Sequence, residues 1–424
     1  MNLGLMVFLL LLLLSFMGLP IGFALGVGTM AAVLYGDLPP LIIPQRIFTG
    51  CDSIPLLAIP FFLLAGNMMS YGITKKILDF SNAMLGAVRG GLAAVSVVAA
   101  AIFAAISGSS VATVSAIGSM TIPAMKEEGY GTEYSAAVAA TASILGVIIP
   151  PSIFLIVYGS ATETSIGQLF IGAVIPGILL TLVLVAYVLL WARKRNFPAR
   201  GRIDFKTMTR VTADSSWALF MPVLILGGIF GGIFTATEAA AVSVGYAFVV
   251  CMFVYKGLKW GDLPQVIVKS AISTSAIMML LAFSKVSSWV VVTSGFPQAV
   301  VGLARAVTES PVIILLLLNM LLLVMGMLME GNACIIMLAP LLVPLMKMYG
   351  ISSMHFGVVM GLNLAIGLVT PPVGACLLLG NEIAGAKLAT TMKCVLPMII
   401  LSLIVLMITT YMPATTQWLP SLMK

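Results

Sequence analysis

Apolar stretches follow one another almost without interruption along this 424-residue chain. They run from Leu3 to Trp191 and resume from Trp217 to Tyr411, and only 8% of all residues are charged. Soluble domains are about one quarter charged, so a soluble chain of this composition would expose large apolar patches. A lipid bilayer accepts such a surface, and roughly 20 apolar residues in a helix cross it. The sequence therefore predicts an all-α polytopic membrane protein.

Residue types that usually carry enzyme chemistry are rare. His355 is the only histidine, and the five cysteines are scattered without metal or disulfide spacing. No serine stands beside a matched base. We therefore expect neither an enzyme nor a metal cluster. The run from Leu3 to Phe16 has no basic residue before it, so we expect a retained span rather than a signal peptide.

A basic segment at 192–214 separates the two apolar series. It holds seven of the 21 basic residues: Arg193, Lys194, Arg195, Arg200, Arg202, Lys206 and Arg210. The positive-inside rule places it in the cytoplasm, and the two flanking spans argue against a nucleic-acid patch. Threading from this anchor puts both termini on the periplasmic side. It also predicts re-entrant hairpins at Gly90–Met125 and Pro311–Met348.

The two halves of the chain are related by a shift of 221 residues. This shift aligns Pro123–Lys126 with Pro344–Lys347, and Pro150-Pro151 with Pro371-Pro372. The sequence thus predicts inverted repeats at 1–191 and 215–424, joined by a basic cytoplasmic linker at 192–214. Inverted repeats are typical of secondary transporters, whose binding sites lie near the membrane midplane.

Small polar turns interrupt the apolar arms of both predicted hairpins. They are Ser107–Ser110 in the first half and Glu330–Asn332 in the second. Backbone groups left unpaired in hydrocarbon cost several kcal/mol each. Such a turn therefore has to be buried in protein, hydrated or bound to a ligand.

The paired prolines predict two broken helices. Proline has no amide hydrogen, so carbonyls one turn before it are released and can form an oxygen cage for a hard cation such as Na⁺. The helix that begins after the break presents amides suited to a carboxylate or sulfonate. A plain proline kink is the alternative. Two matched breaks, each preceded by a polar hairpin turn, favour a site.

Isolated charges in or beside apolar stretches are further functional candidates: Asp52, Glu238, Lys285 and Glu330. Glu238 also reads as a boundary residue between spans. Lys285 also reads as a snorkelling helix end, between the apolar stretches Val266–Phe283 and Trp289–Arg305.

Six stretches together resemble one transporter family. The chain resembles the large membrane (M) subunit of tripartite ATP-independent periplasmic (TRAP) transporters over its whole length. The matching stretches are 52–66, 107–113, 146–152, 234–241, 355–357 and 363–374.

This resemblance implies an elevator-type, Na⁺-driven importer of an organic acid anion in the bacterial or archaeal inner membrane. The implied partners are a small four-helix membrane (Q) subunit, a periplasmic substrate-binding (P) subunit and the lipid bilayer, with no nucleic acid. A stand-alone cation-coupled organic anion symporter is the alternative; an intramembrane enzyme and a structural scaffold are weaker rivals. Dicarboxylates, sugar acids, sialic acid and sulfonates all remain open as substrates.

The resemblance also implies the site residues. The first Na⁺ site would use Ser107, Ser110, Gly146, Ile149 and Pro151, and the second Gly326, Gly367 and Thr370. Substrate contacts are expected at the turns and proline pairs, through Ser109, Pro150, Gly331, Asn332 and Pro371. Glu330-Gly331-Asn332 departs from the Asp-Gly-Thr/Ser-like turn of the family.

Overall fold

Every regular element in the described part of the chain is a helix. The computed structural model describes residues 2–195 and 205–422. Within them, eight helices are long and apolar enough to cross a membrane, and a bent pair would make a ninth. The predicted all-α polytopic class is confirmed.

The first five helices pack on one another and on long helices of the second half, and the fourth and fifth also pack on the first arm of the first hairpin. They are α1 Leu3–Phe16, α2 Ile21–Tyr35, α3 Ile42–Cys51, α4 Ala58–Met69 and α5 Ile73–Leu85. α1 packs on α2, and α4 packs on a helix of the second half. The apolar pattern did not predict α3, which buries no side chain and carries Gln45 and Arg46 among its apolar residues. The chain bends by 63° between α3 and the following helical segment.

The first hairpin and the first broken helix come next. The hairpin consists of α6 Gly91–Ser107, α7 Ser110–Thr113, a π-helical turn Val114–Gly118 and α8 Ser119–Glu127. The broken helix consists of α9 Thr132–Ala142, α10 Leu145–Ile148 and α11 Ile153–Thr162, and α12 Ile166–Lys194 follows.

The second half begins with four helices. They are α13 Phe205–Phe230, α14 Ala236–Val249, α15 Leu263–Thr293 and α16 Phe296–Val307. The reading of Lys285 as a helix end is wrong, because α15 continues through it to Thr293. The hydroxyl of Ser287 donates to the Phe283 carbonyl one turn earlier, so this serine needs no break in the helix.

The second hairpin and broken helix complete the chain. They are α17 Pro311–Leu328, α18 Gly331–Met348, α19 Ser353–Gly367 and α20 Ala375–Ala384, followed by α21 Leu388–Tyr411 and α22 Ala414–Gln417. The repeats interlock, since α9 packs on α20, α10 on α19, and α11 on α18.

Helix ends confirm the repeat at single-residue precision. The first arms of the hairpins end at Ser107 and Leu328, and the second arms begin at Ser110 and Gly331, each pair 221 residues apart. The capping is matched too: the Ser109 hydroxyl accepts from Ala112 N, and the Glu330 carboxylate accepts from Ala333 N. The bond between the paired prolines is cis in both copies.

The basic linker was predicted at 192–214. α12 reaches Lys194 and α13 begins at Phe205, so helices enter this segment from both sides. Residues 196–204 lie outside the described part of the chain. The division into 1–191, 192–214 and 215–424 stays a prediction.

Candidate functional site

Both hairpin tips and both helix breaks meet at one cavity of about 240 Å³. Each of the four segments contributes a short stretch to its wall. These stretches are Gly108–Val111, then Val147 with Ile153 and Phe154, then Gly326–Glu330 with Asn332, and finally Leu368 with Val373–Ala375. The fold thus brings together segments that the sequence singled out separately.

Four helices begin at this cavity. α11 begins at Ile153, α18 at Gly331, α20 at Ala375, and the second arm of the first hairpin at Ser110. The amides of a first turn lack helical partners and carry the positive end of the helix dipole. The described lining contains no lysine, arginine or histidine. Backbone amides are therefore the source of positive potential for an anion here.

Four helices also end beside the cavity. α6 ends at Ser107, α10 at Ile148, α17 at Leu328 and α19 at Gly367. Carbonyls of a last turn lack helical partners and carry the negative end of the dipole. The site thus offers amides to an anion and carbonyl oxygens to a cation within a small volume.

The predicted first Na⁺ site has an unpaired oxygen. The Ser110 hydroxyl is buried, with no hydrogen-bond partner among the described residues, and Ser110 as a whole is only 2% exposed. Gly146 lies against it: a Cβ on Gly146 would be 2.7 Å from Ser109 O and 2.8 Å from Ser110 Cα. The Gly146 carbonyl has no helical donor four residues on, since that residue is Pro150. An all-oxygen set of this kind fits Na⁺.

The other predicted residues of the first site surround this pair. The Ser107 hydroxyl lies 3.4 Å from that of Thr113, a neighbour in the second arm of the same hairpin. Ile149 follows the last residue of α10, and its N–H donates to Leu145 O at 2.9 Å. The Pro151 carbonyl lies so close to Gly108 that a Cβ there would be 2.6 Å away.

The predicted second Na⁺ site is built from two glycines in contact. A Cβ on Gly367 would be 2.6 Å from the Gly326 carbonyl carbon and 2.8 Å from its oxygen. The Thr370 hydroxyl donates to Ile366 O at 2.7 Å, so its lone pairs remain available. The structure therefore brings Gly326 and Gly367 together where α17 meets α19, and Thr370 lies in the turn that follows Gly367.

The predicted substrate residues divide into two groups. Ser109 and Asn332 line the cavity. Gly331 begins α18 and packs against the Phe154 ring, which itself lines the cavity. Pro150 and Pro371 lie at the breaks but outside the described lining, where their neighbours form the wall.

Glu330 is held as the cap of α18. Its carboxylate accepts from Ala333 N at 3.0 Å and from Asn332 Nδ2 at 2.7 Å. Because an ionised carboxylate only accepts, Asn332 presents its NH₂ group to it. The Asn332 Oδ1 atom is buried and has no partner in the described structure.

The remaining isolated charges are away from the cavity. Glu238 forms a capping box with Thr235 at the start of α14, and Asp52 is the exposed residue that follows α3. Lys285 Nζ donates to the Ser160 carbonyl at 3.1 Å, near the end of α11. These contacts account for Glu238 and Lys285 as structural residues.

Sequence reasoning missed a buried pair of asparagines. Asn363 Nδ2 donates to the Asn319 main-chain oxygen at 2.9 Å and to its side-chain oxygen at 2.8 Å. Asn319 is the one polar residue inside the apolar run of α17, a signal that could have marked it.

Paired hairpins and paired broken helices around one cavity, in an all-helical membrane fold, define the chain as a polytopic secondary transporter. The comparison with a protein-family model gives the family: residues 7–415 match "Tripartite ATP-independent periplasmic transporter, DctM component". The chain belongs to this family of TRAP large permeases.

Comparisons with individual relatives give the same family. The chain is 41% identical over 94% of its length to the isethionate TRAP transporter permease protein DctMQ of Oleidesulfovibrio alaskensis, of which it spans 63%. It is 40% identical to the C4-dicarboxylate TRAP transporter large permease protein DctM of Pseudomonas aeruginosa, covering 93% of this chain and 92% of that one. It is 34% identical to the sialic acid TRAP transporter large permease protein SiaM of Vibrio cholerae, covering 96% of each. All are named as permeases, so the expectation of a transporter rather than an enzyme is confirmed.

The fold is shared with a solved structure. The crystal structure of the YdaH transporter of Alcanivorax borkumensis superposes with a TM-score of 0.62 and covers 97% of this chain and 98% of its own. Its sequence identity is 14%, so this likeness supports the fold alone.

Proposed function

We propose that this chain is the translocating subunit of a Na⁺-coupled importer of a small organic acid anion. The observation that carries the proposal is the meeting of four helix beginnings and four helix ends at one cavity. Amides at the beginnings suit a carboxylate or sulfonate, and carbonyls at the ends suit Na⁺. The names of the relatives, which include isethionate, a C4-dicarboxylate and sialic acid, support the substrate class.

Coupling between Na⁺ and the anion follows because the carbonyls proposed for the cation and the amides proposed for the anion lie at the same cavity. Na⁺ bound at Ser110 and Gly146 would join the tip of the first hairpin to the first broken helix. Gly326, Gly367 and Thr370 would do the same for the second hairpin. Because the tips also line the cavity, each bound cation favours the arrangement that binds the anion, and its charge attracts the anion. The Na⁺ gradient and the membrane potential then drive import.

The moving unit is proposed from the packing. The hairpins and broken helices interlock through α9 on α20, α10 on α19, and α11 on α18. A block held together in this way can move as one body against the other long helices. This supports an elevator mechanism, in which the whole site crosses the membrane.

The proposed setting is the inner membrane of a bacterium or archaeon, with both termini periplasmic. A small membrane subunit and a periplasmic binding protein complete the transporter, as the family description implies. A relative named DctMQ supports a permease partner of this kind.

Reconstitution tests the proposal. The chain and its small partner subunit are placed in liposomes, and uptake of labelled isethionate, succinate and sialic acid is measured. Each acid is tested with and without an inward Na⁺ gradient, and with and without the binding protein. The expected result is uptake of one acid that requires both.

Two other results would redirect the assignment. Uptake that is indifferent to Na⁺ would overturn the cation sites and turn attention to proton coupling through Glu330, which lines the cavity. Uptake without the binding protein would favour a stand-alone symporter.

A further inference from the structure

A chain of polar side chains runs through the apolar seam between α17 and α19. It begins at His355, whose Nε2 lies 3.1 Å from the Thr410 carbonyl. The Thr410 hydroxyl accepts from Asn319 Nδ2 at 3.2 Å, and Asn319 accepts in turn from Asn363 Nδ2. This series of polar side chains ends at Asn363, which is fully buried, with 0% of its surface exposed.

The orientation of Asn363 is fixed by its neighbours. A main-chain oxygen can only accept, so the NH₂ group of Asn363 must face the Asn319 carbonyl. Asn319 is fixed too, because the Thr410 hydroxyl already donates to Leu406 O and accepts from Asn319. The Oδ1 atom of Asn363 is therefore an acceptor that faces away from this network, and no described residue donates to it.

The residue that carries this oxygen lies one helical turn from the predicted second Na⁺ site. Asn363 is one helical turn before Gly367 on α19, and Asn319 is two turns before Gly326 on α17, so both pairs share one seam. A Cβ on Gly326 would be 3.3 Å from Leu364 Cα, the residue next to Asn363. A neutral oxygen is a suitable ligand for a hard cation.

The first repeat has no equivalent of this pair. The positions that correspond to Asn319 and Asn363 under the 221-residue shift are Val98 and Ala142, both apolar. At these positions the helices of the two halves correspond, but the side chains are apolar in the first half and polar in the second. The polar pair is an addition to the second site rather than a general feature of the fold.

We propose that Asn363 is a further ligand of the second cation site, and that Asn319 is the positioning residue that turns its oxygen toward the cation. This inference rests on the proposed Na⁺ coupling. It makes the two cation sites unequal: the first uses the Ser110 hydroxyl, and the second adds a side-chain amide oxygen.

The test measures thermal unfolding of the purified full-length chain in detergent as NaCl replaces choline chloride at constant ionic strength. A ligand that binds only the folded state raises the melting temperature with its concentration. We expect Asn363→Leu to raise the Na⁺ concentration for half-maximal stabilisation by about tenfold, the loss associated with one contact to a charged group. Na⁺-driven uptake should shift in parallel.

Asn381→Leu is the matched control. Asn381 is also a buried asparagine, but its oxygen accepts from the Thr391 hydroxyl and its spare atom is the donor Nδ2. A donor cannot bind a cation, so this variant should keep the wild-type Na⁺ midpoint. Where Asn363→Leu does not fold, the double variant Asn319→Leu/Asn363→Leu removes both amides of the pair and should show the same shift.

The outcomes are distinct. A raised midpoint in Asn363→Leu with an unchanged Asn381→Leu supports the inference. An unchanged midpoint in Asn363→Leu overturns it and assigns the free oxygen to a water, while Na⁺ coupling stands. A wild-type protein that Na⁺ does not stabilise overturns the proposed coupling itself, and the inference with it.

Discussion

Replacing Gly146 by alanine tests the contact between the first hairpin and the first broken helix. Gly146 lies in the helical segment α10, so alanine leaves the preferred backbone conformation unchanged and adds one methyl group. That methyl would be 2.7 Å from the carbonyl carbon and oxygen of Ser109 and 2.8 Å from Ser110 Cα. Main-chain atoms cannot rotate out of the way, so the hairpin tip has to move.

The size of the effect on Na⁺ dependence follows from the overlap between the added methyl group and the main chain of Ser109 and Ser110. Ordinary carbon contacts begin near 3.4 Å, so the tip and the broken helix must separate by several tenths of an ångström. Overpacking of this kind costs about 1–3 kcal/mol. If that cost falls on the cation-bound arrangement, the Na⁺ concentration for half-maximal uptake rises by about 5- to 150-fold.

The assay is Na⁺-dependent uptake in proteoliposomes, together with thermal unfolding at saturating and zero Na⁺. Gly118→Ala is the matched control on the same hairpin, because its nearest new contact would be an ordinary 3.5 Å and its φ is −62°. A Gly146→Ala protein with wild-type Na⁺ dependence would refute the reasoning. So would an equal shift in Gly118→Ala.

Three further substitutions separate site residues from structural ones. Ser110→Ala should weaken Na⁺-driven uptake while leaving the Na⁺-free melting temperature near wild type, because its hydroxyl has no described partner to lose; a large fall in Na⁺-free stability would contradict this. Glu238→Ala should remove the capping box with Thr235 and lower the melting temperature without changing the Na⁺ midpoint, and a changed midpoint would make Glu238 functional. Lys285→Met should cost about 0.3–1 kcal/mol through its lost contact with the Ser160 carbonyl, measured by chemical denaturation; an unchanged unfolding free energy would argue against that contact.

The paired helix breaks were predictable because their chemistry is local. Single prolines lie inside α12 and α18 without ending them, whereas the paired prolines Pro150-Pro151 and Pro371-Pro372 coincide with the two helix breaks. The polar turns could be placed by the same logic, since unpaired backbone groups in an apolar run require a reason. The shift of 221 residues then allowed each assignment made in one half to be transferred to the other half.

Other features depend on partners distant in sequence. Lys285 was read as a snorkelling helix end because it stands between two apolar stretches. Its partner, the Ser160 carbonyl, lies 125 residues away and leaves no local signal in the sequence. The Asn319–Asn363 pair joins residues 44 apart and has no periodic signature. α3 escaped notice because it buries nothing, and burial is what produces a recognisable apolar pattern.

One missed feature was local and could have been found. Thr235 and Glu238 stand three residues apart before an apolar run, which is the pattern of a capping box. That pattern favours a structural role for Glu238 over an intramembrane charge. The cavity itself could not be predicted in detail, since its volume depends on how four separate segments pack together.

The most direct test of the account is equilibrium binding of the transported acid to the purified transporter at increasing Na⁺ concentration. Cation and anion are proposed to bind at the same two hairpin tips and two helix breaks, so Na⁺ should raise the affinity for the acid, and the acid should raise the affinity for Na⁺ by the same factor. Gly146→Ala should weaken this coupling and Gly118→Ala should keep it. An affinity for the acid that does not change with Na⁺ would contradict the central claim.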